Sequence, residues 1–557
     1  MHKVYRKSIP NITICFRSIY NHPDLPPNEP PTNLNDPEIR RILQLNINNV
    51  KQNCEDVPIV IGGKEFRNHD VKYQVSPYDH QRRIAKFYYA DESLIENGIE
   101  NALINKDKWE NMSYDSRSRI IRRASSLIAT KYRYKSLAIC MVGQAKTAQQ
   151  ADIDCIAELI DFLRFNIRYG STILEGPPLH QVEHVINSVK MRALEGFVAA
   201  ISPFNFSAIG ANLASAPVLM GNVVLWKPSD TAILSNYHFF KVLQEAGLPD
   251  GVIQFIPSDG PTFGKVITNH PELAGITFTG SSKTFKSIWK RVGENIDKYR
   301  TFPKLVGECG GKNFHFVHKT ADIDSVVYGT IRSAFEYSGQ KCSACSRLYV
   351  PDSLWPKIKE KLITEISKLK LSAADDFSSF LSAVIDQQSF NKIKTFIDHA
   401  RGLKNHTIII GGKCDDSIGF YIEPTLIQTT DPNSKLLSEE IFGPVCTVYV
   451  YPSEEIDTTL DLVNSTSPYG LTGSIFSQDR MFIDHARKRL LHAAGNLYIN
   501  DRCTGSVVAQ QPFGGARASG TNDKAGMATY LQKWTSPQAI KEMCAPLPYW
   551  SYPYMSK

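Results

Sequence analysis

The sequence predicts an α/β protein with two lobes, each built on a mostly parallel sheet, and a small β extension. Between residues 196 and 298, four short apolar runs alternate with four segments of helical pattern. A looser alternation continues to residue 500. Strands that alternate with helices form right-handed βαβ units, so parallel pairing is the expected arrangement. A length of 557 residues also fits two to four domains.

The predicted elements follow one another in a regular order. An amphipathic helix comes first, at residues 152–169, with apolar residues at spacings of three and four. The first lobe then has strands at 196–201, 223–226, 252–256 and 275–278, and helices at 207–220, 232–246, 263–269 and 282–298. The second lobe has a helix at 322–338 and strands at 314–317, 348–350, 406–410, 445–450 and 496–500.

Composition and charge exclude several classes of protein. The chain has 42% hydrophobic and 21% charged residues, which is typical of a globular protein. The net charge is only +7 and no long basic run occurs, so nucleic acid is not an expected partner. No long unbroken apolar stretch occurs, so no membrane span is expected. The 11 cysteines are odd in number and dispersed, which indicates a reducing compartment and no disulfide framework.

The N-terminal segment is basic and contains no acidic residue before Asp24. This pattern, without a continuous apolar core, is typical of a mitochondrial transit peptide, which we predict at residues 1–23. A frayed basic tail is the alternative. The prolines of residues 23–32 predict an extended arm after it. The basic residues of the segment are Lys3, Arg6, Lys7 and Arg17.

Two cysteines near the middle of the chain are candidates for chemistry. Cys342 follows a Gly-Gln-Lys turn between a predicted helix and a predicted strand. A thiol beside Lys341 can have a lowered pKa and act as a nucleophile. Cys345 completes a C-x-x-C pair, the pattern of a redox pair or half a zinc site, but no second such pair is present. A buried, unreactive cysteine is the third interpretation.

Two other segments have both chemical and structural interpretations. The sequence HQVEH at 180–184 matches an inverted zinc-protease pattern, which needs both histidines on one helical face. Two prolines precede it and no third ligand is evident, so we expect a structural role and no metal. Glu308 lies beside a Gly-Gly pair, where the backbone can approach a ligand, and is a candidate general base. Surface glutamates beside glycines are common, so this signal alone is weak.

The signal for a nucleotide site is indirect. No G-x-G-x-x-G follows the early strands, but residues 277–284 follow a strand and open a helix, where backbone amides and hydroxyls suit a pyrophosphate. Lys227 ends another strand and is placed to contact a ribose. Asp230 favours a free 2′-hydroxyl over a 2′-phosphate, which predicts NAD rather than NADP. An ordinary strand–helix turn is the alternative at each position.

Six motifs occur in one order along the chain: ISPFNF at 201–206, FTGS at 278–281, GECGGKNFHFV at 307–317, GQKCSAC at 339–345, EIFGP at 440–444 and QQPFGGARASG at 510–520. Together they resemble the aldehyde dehydrogenase superfamily, and within it the branch that acts on glutamate γ-semialdehyde. Phe285 stands where most members of the superfamily have glycine. The pyrophosphate site is therefore not expected to be an ordinary Rossmann turn.

The resemblance implies an aldehyde-dehydrogenase fold, with a Rossmann-like NAD-binding lobe, a second α/β catalytic lobe and a small β oligomerisation extension. An N-terminal arm and the NAD-binding lobe take residues 24–309, interrupted by an oligomerisation hairpin near 172–192. The catalytic lobe takes residues 310–500. The substrate-anchor loop and an oligomerisation segment take residues 501–557, and a strand after Thr521 is expected in a homodimer.

The resemblance also implies a role for each matching residue. Cys342 is the expected nucleophile, Glu308 the general base and Asn205 the side-chain donor of the oxyanion hole. The expected cofactor contacts are Ser202, Lys227, Gly280, Ser281, Ser282, Lys283, Thr284 and Glu440. The expected substrate contacts are Phe206 and Phe513, which clamp the methylene chain, and Ser343, Gly505 and Ser506, which anchor the α-carboxylate and amino group. No metal is expected.

The implied reaction is the NAD-dependent oxidation of L-glutamate γ-semialdehyde, which is in equilibrium with Δ1-pyrroline-5-carboxylate, to L-glutamate through a cysteine thiohemiacetal and thioester. This is the second step of proline degradation, expected in the mitochondrial matrix. An aldehyde dehydrogenase of another specificity and a non-catalytic protein on the same scaffold are the alternatives. A fusion to a flavin barrel is not expected, because such a barrel needs about 250 further residues.

Overall fold

The computed structural model describes residues 25–555, so the predicted transit peptide lies outside the described residues. Two seven-stranded sheets form the centres of two lobes. In spatial order, the strands of the first sheet are Lys304–Glu308, Leu273–Thr279, Phe197–Ile201, Val224–Lys227, Ile253–Phe255, Ile59–Ile61 and Lys64–Phe66.

The first sheet has a topological switch point. The five strands from Lys304–Glu308 to Ile253–Phe255 pair in parallel. The chain order reverses between Phe197–Ile201 and Leu273–Thr279, and open α/β sheets bind ligands at such a point, beyond the carboxyl ends of the strands. Residues 197–200 are all buried, as expected for a parallel strand covered by helices on both faces.

Helices pack on both faces of the first sheet. The α-helices of the first lobe are Pro37–Gln52, Glu92–Glu110, Tyr114–Ala129, Arg133–Gln144, Ala148–Ala151, Leu159–Glu175, Ser207–Leu219, Ile233–Ala246, Gly260–Asn269 and Ser282–Glu294. Asp152–Glu158 is a π-helical segment, and Asp230–Ala232 and Ile296–Lys298 are single 3₁₀ turns.

The second sheet is also mainly parallel. In spatial order its strands are His406–Ile410, Thr425–Thr429, Val445–Tyr451, Cys345–Pro351, Asn313–Val317, Thr472–Phe476 and Asn496–Ile499, and only the first pair is antiparallel. The remaining α-helices of the described chain are Ile323–Phe335, Trp355–Ile366, Gln387–Arg401, Lys435–Ser438, Ile456–Ser465, Arg480–Arg489 and Ala528–Gln532, with 3₁₀ turns at Glu336–Gly339 and Pro553–Met555.

Four small sheets complete the fold. One has three strands, Glu55–Val57, Asp79–Tyr88 and Val71–Ser76. The others are two-stranded: Cys414–Asp415 with Tyr421–Ile422, Tyr469–Gly470 with Ala516–Arg517, and Val185–Arg192 with Ser536–Met543. Within residues 25–555, no helix is both long enough and apolar enough to span a bilayer.

The last of these sheets differs from the expected hairpin near residues 172–192. Residues up to Glu175 are helical, and Val185–Arg192 pairs with Ser536–Met543 rather than with a neighbouring strand. The hairpin prediction is therefore wrong in its partner strand. The reason is that each strand of the pair lies far from the other in sequence, so no turn signal marks the pairing. The expected strand after Thr521 is present as Ser536–Met543.

Candidate active site

The predicted site residues lie where the carboxyl ends of the first sheet meet the amino ends of the second. Glu308 is the last residue of Lys304–Glu308, and Ser202 directly follows Phe197–Ile201. Parallel strands end at one edge, so both residues reach the same side of the first sheet. On the other side, Cys342 precedes the second-sheet strand Cys345–Pro351.

The turn that carries Cys342 is held by asparagines from both lobes. Asn205 donates from Nδ2 to the Gln340 carbonyl at 3.1 Å. Asn313 donates from Nδ2 to the Cys342 carbonyl at 2.7 Å. A Cβ at Gly311 would lie 2.4 Å from that same carbonyl, so only glycine allows the backbone segments to approach this closely. Cys342, the predicted nucleophile, is thereby fixed relative to both sheets.

The backbone that enters this turn is strained. The φ angle is 51° at Tyr337 and 52° at Ser338, in the left-handed region that residues with a Cβ avoid. Such residues cost on the order of 1–3 kcal/mol each and persist where neighbouring contacts fix them. Ser338 donates from Oγ to the Ser382 carbonyl, and the Ile385 N–H donates to the Gln340 side chain at 2.8 Å. These contacts maintain the turn against its own backbone preference.

The Cys342 thiol does not have the lowered pKa that the sequence suggested. Burial raises its pKa, and the carboxylates of Glu440 and Glu308 raise it further. The Lys341 ammonium pairs instead with Glu336 at 2.9 Å. The prediction of a lowered pKa for the Cys342 thiol is therefore wrong, because the adjacent Lys341 forms an ion pair with Glu336 and not with the thiol.

Asn205 is placed to serve an oxyanion. It is buried beside the Cys342 turn, and only one of its Nδ2 hydrogens has an acceptor in the described part of the chain. The backbone N–H of Cys342 has no acceptor among the described residues either. Two N–H donors beside a nucleophile are what an oxyanion hole requires. Nucleophile and predicted donor are therefore brought together.

Glu308 has the environment of a proton acceptor. Its Oε1 is buried and has no hydrogen-bond partner within residues 25–555, while Oε2 accepts from the Gly515 N–H at 3.3 Å. Burial raises the pKa of this carboxyl well above its usual value, although the Gly515 N–H lowers it. A carboxyl with one oxygen free in a dry site is suited to take a proton from water.

The segment from Gly280 to Thr284 begins a helix at the switch point. Ser281 caps the helix Ser282–Glu294 by accepting from the Thr284 N–H at 3.2 Å. Ser282 and Lys283 lie in the first turn of this helix, beside the carboxyl edge of the sheet. A helix start beyond the carboxyl ends of parallel strands suits a phosphate-bearing cofactor.

Phe285, which departs from the superfamily pattern, packs in an aromatic layer next to this turn. Its ring stacks on Phe278 with centroids 5.4 Å apart, and both side chains are buried. A Cβ at Gly307 would lie 2.3 Å from the Phe285 ring. The helix therefore rests on an aromatic layer, for which Gly307 in the neighbouring strand leaves space.

Lys227 ends a strand of the first sheet, and Glu440, from the second lobe, reaches the segment that joins the lobes. Burial lowers the pKa of Lys227, while the nearby Asp230 and Asp259 raise it. Asp230 Oδ1 is buried and has no hydrogen-bond partner among the described residues, which leaves an acceptor for a ribose hydroxyl. Glu440 accepts from the Gly311 N–H at 2.8 Å. These groups match the charges and hydroxyls of a dinucleotide.

Ser202 has a different immediate role from the one expected. Its hydroxyl accepts from Trp226 Nε1 at 2.7 Å and donates to the Gly210 carbonyl at 3.3 Å. The side chain therefore fastens the strand end to the following helix.

The predicted substrate anchors lie next to the nucleophile turn. Ser343 and Thr504 form a hydroxyl–hydroxyl hydrogen bond at 2.7 Å, which ties the anchor loop to the residue after Cys342. Gly505 has φ of 92°, which glycine adopts without strain, and is exposed with Ser506 partly exposed beside it. The three anchor candidates are therefore brought together.

The two predicted aromatic contacts are both partly exposed. Phe206 directly precedes the helix Ser207–Leu219, and Lys146 Nζ lies 3.9 Å from its ring centroid. Phe513 donates its N–H to the Ala525 carbonyl at 3.0 Å. Neither ring is sealed in the core, so both have surface available for a ligand.

Sequence reasoning missed a buried ion pair beneath Phe206. Lys146 Nζ lies 2.8 Å from Asp154 Oδ2, and both side chains are almost fully buried. Asp154 also accepts from the Ser207 and Ala208 N–H groups at 2.9 and 2.8 Å, so it caps the helix that follows the ISPFNF motif. No local pattern marks a cap supplied from a distant π-helical segment.

The alternative chemical interpretations do not match the geometry. Cys345 is buried in a strand, where its Sγ lies within 4.8 Å of atoms of His315 and Cys503. Both ring nitrogens of His315 are already used, by Thr330 Oγ1 at 3.0 Å and the Cys503 N–H at 3.1 Å. The HQVEH segment at 180–184 is exposed and not helical.

The class of protein follows from this fold and from comparison with known families. The sequence model described as "Aldehyde dehydrogenase family" matches residues 67–540, and the chain belongs to this family. This confirms both the recognised family and the predicted fold class.

The chain is also similar, over most of its length, to individual named proteins. The chain is 56% identical over 517 residues to human "Delta-1-pyrroline-5-carboxylate dehydrogenase, mitochondrial", covering 93% of this chain and 92% of the relative. It is 51% identical over 502 residues to the protein of that name from Dictyostelium discoideum, covering 90% of each. Among solved structures, the Mycobacterium tuberculosis Delta-pyrroline-5-carboxylate dehydrogenase bound with NAD matches with a TM-score of 0.91 and 40% identity, over 96% of this chain and 98% of that one.

Proposed function

We propose that this chain is an NAD-dependent dehydrogenase that oxidises L-glutamate γ-semialdehyde, formed from Δ1-pyrroline-5-carboxylate, to L-glutamate in proline degradation. The observation that carries this proposal is the placement of Cys342, Asn205 and Glu308 together where the carboxyl edge of a dinucleotide-type sheet meets the second lobe. The names of relatives at 51–56% identity, and the NAD bound to a structure 40% identical, support the same activity.

The chemistry assigned to the chain begins with its thiol. The Cys342 thiol releases its proton to water, and the Sγ thiolate attacks the aldehyde carbon, so that the carbonyl oxygen gains negative charge as the C–S bond forms. The Asn205 side chain and the Cys342 N–H stabilise that charge, and loss of one such donor costs about 2.7–4 kcal/mol. NAD, when bound, would accept the hydride that the former aldehyde carbon loses, and the oxygen would re-form its double bond to carbon, so that a thioester would remain on Cys342. Glu308 then takes a proton from water, the water oxygen attacks the thioester, and the C–S bond breaks.

Selection among aldehydes is assigned to the residues that contact the end of the substrate opposite its aldehyde group. Ser343, Ser506 and the Gly505 N–H hold the α-carboxylate and amino group, and Phe206 with Phe513 contacts the methylene chain. A site built to hydrogen-bond a polar group rejects analogues without it by factors of about 10⁴ in favourable cases. Simple alkanals are therefore poor substrates.

NADH formation with three aldehydes tests the assignment. The purified protein is supplied with pyrroline-5-carboxylate, succinate semialdehyde or propanal, and the initial rates are compared at matched concentrations. We expect pyrroline-5-carboxylate to be strongly preferred, and Cys342→Ala to abolish all three activities. Equal rates would contradict the substrate assignment, and an active Cys342→Ala would contradict the thiol mechanism.

The proposed location is the mitochondrial matrix, with residues 1–23 as the transit peptide. The basic, acid-free leader and the word "mitochondrial" in the names of curated relatives support this. A fluorescent protein fused to residues 1–23 is expected to enter mitochondria, and to resist added protease in swollen mitochondria until the inner membrane is broken. Diffuse fluorescence would contradict the proposal.

A homodimer is the proposed assembly, formed through the sheet of Val185–Arg192 and Ser536–Met543. Both strands stand apart from the two main sheets, and they expose Ile186, Ile540 and Met543. An exposed apolar ribbon of this type suits a second copy of the chain. Light scattering is expected to show a dimer, and Ile186→Lys with Ile540→Lys a monomer. A wild-type monomer would contradict the assembly.

A further inference from the structure

The helix Ile323–Phe335 ends at a buried carboxylate that the proposed reaction does not use. Glu336 follows the helix directly, and its side chain is 6% exposed. It accepts three hydrogen bonds from cations, namely Arg332 Nε at 2.9 Å, Lys341 Nζ at 2.9 Å and Arg502 Nη1 at 3.1 Å. Charge-assisted bonds of this type are short and directional, so they fix geometry as well as charge.

Two of these cations belong to functional segments. Lys341 directly precedes Cys342, and its side chain is buried. Arg502 lies in the loop that carries Gly505, and it is largely buried. Arg332, in contrast, lies in the last turn of the helix that Glu336 follows, and it is half exposed. One carboxylate therefore bonds both the nucleophile turn and the predicted anchor loop.

Arg502 connects Glu336 to the backbone of the anchor loop. A Cβ at Gly505 would lie 2.9 Å from Arg502 Nη2 and 3.1 Å from Nε, so the guanidinium packs directly against the glycine. The loop has a second attachment through Thr504, which bonds Ser343. A displacement of Arg502 would move Gly505, whose N–H is the predicted carboxylate donor.

The charge state of Glu336 keeps this arrangement in place. Burial alone would raise the pKa of the carboxyl, but Lys341 and Arg502 outweigh burial and lower it to about 2. The group is therefore ionised at physiological pH. A buried ion cluster adds little net stability compared with apolar side chains, so its main contribution here is to geometry.

We propose that Glu336 is a positioning residue that sets the anchor loop, through Arg502, at a fixed distance from the nucleophile turn, through Lys341. This distance determines which aldehydes can place their carbonyl at Cys342 while their carboxylate reaches Gly505. The inference rests on the function proposed above and assigns its selectivity for substrate length and carboxylate to one ion cluster.

Two matched arginine variants test the role, because both remove a guanidinium from the same Glu336 oxygen. Arg502→Met is expected to raise KM for pyrroline-5-carboxylate about tenfold to 100-fold, since small displacements of a substrate anchor have effects of this size. Arg332→Met is expected to change KM by less than about twofold, because Arg332 is half exposed and belongs to neither the nucleophile turn nor the anchor loop. Equal effects of the two variants would overturn the proposal.

Propanal separates positioning from general disorder, because it has no carboxylate. In Arg502→Met, kcat/KM for propanal is expected to stay within about threefold of wild type, since that aldehyde does not use the anchor. A parallel loss with both aldehydes would contradict the proposal. Arg502→Lys keeps a cation that can reach Glu336 and is expected to restore part of the affinity, which also covers the case in which the methionine variant does not fold.

A double-mutant cycle shows whether Arg502 acts through Glu336. Glu336→Gln combined with Arg502→Met is expected to raise KM no more than Glu336→Gln alone, because both substitutions act on the same contact, the one between Glu336 and Arg502. Additive effects would overturn the coupling. If wild type does not oxidise pyrroline-5-carboxylate, the proposed function fails; if it does and Arg502→Met leaves KM unchanged, only the positioning role fails.

Discussion

Asn205 donates from its side-chain amide to the Gln340 carbonyl at 3.1 Å, and this bond joins the end of one sheet to the turn before Cys342 on the other. One amide hydrogen fixes the turn, and in the proposed mechanism the second is available for the substrate oxygen. The distance between nucleophile and oxyanion donor is thus set by the junction of the lobes and not by either lobe alone.

Asn205→Ala is expected to lower kcat about 100- to 1000-fold with little change in KM, because the lost donor acts on charge that develops only in the transition state. Steady-state kinetics with pyrroline-5-carboxylate measure the effect. Asn212→Ala is the control, since Asn212 is a buried asparagine in the following helix whose side chain accepts a hydrogen bond from Asn166 instead. A loss of kcat in the control equal to that in Asn205→Ala would contradict the oxyanion role.

Glu440→Gln is expected to make Cys342 more reactive in the cofactor-free enzyme. The Glu440 carboxylate raises the pKa of the Cys342 thiol, so removing its charge lowers that pKa and increases the thiolate fraction at a given pH. The rate of iodoacetamide labelling of Cys342, followed by mass spectrometry, should rise at each pH tested. Glu439→Gln changes an exposed neighbour and should leave the rate unchanged. A slower labelling rate in Glu440→Gln would contradict the predicted lowering of the Cys342 pKa.

Glu308→Gln is expected to stop the reaction after the thioester forms. The carboxyl has a raised pKa because of burial, so in wild type the hydrolysis step should speed up as pH rises and the proton is lost. The variant should release one burst of NADH and then stall, without this pH dependence. Rapid-mixing kinetics measure both phases, and steady turnover of the variant at the wild-type rate would rule out Glu308 as the base.

Much of the fold was predictable because its signals are local. The strand Phe197–Ile201 is a short apolar run, and the structure confirms it within a residue of the prediction. Its helix Ser207–Leu219 was also predicted, since small apolar residues fill it. The motifs then located Cys342 and Glu308, because glycines and a turn sequence surround them.

The features that escaped prediction depend on contacts between distant residues. Asp154 caps a helix that begins far along the chain, and Lys146 neutralises it in the core. Val185–Arg192 pairs with a strand near the C-terminus. Lys341 is beside Cys342 in sequence, yet its ammonium serves Glu336. Periodicity and spacing contain no information on which of several partners a charged group will choose.

Gly310→Ala is expected to weaken cofactor binding selectively. A Cβ at Gly310 would lie 2.1 Å from Glu440 Oε2, so the carboxylate must leave the position in which it accepts from the Gly311 N–H. Loss of a hydrogen bond to a charged group costs about 1.5–3 kcal/mol, which corresponds to roughly a 10- to 150-fold rise in KM for NAD. Initial rates at varied NAD measure this, with the aldehyde held saturating.

Gly293→Ala is the matched control for this clash. A Cβ there meets no atom within 4 Å, and the residue lies exposed in the helix Ser282–Glu294, where alanine is the better helix former. KM for NAD should therefore stay at the wild-type value while thermal stability stays equal or rises. If Gly310→Ala also leaves KM for NAD unchanged, Glu440 does not hold the cofactor, since the substitution must displace its carboxylate to be accommodated at all.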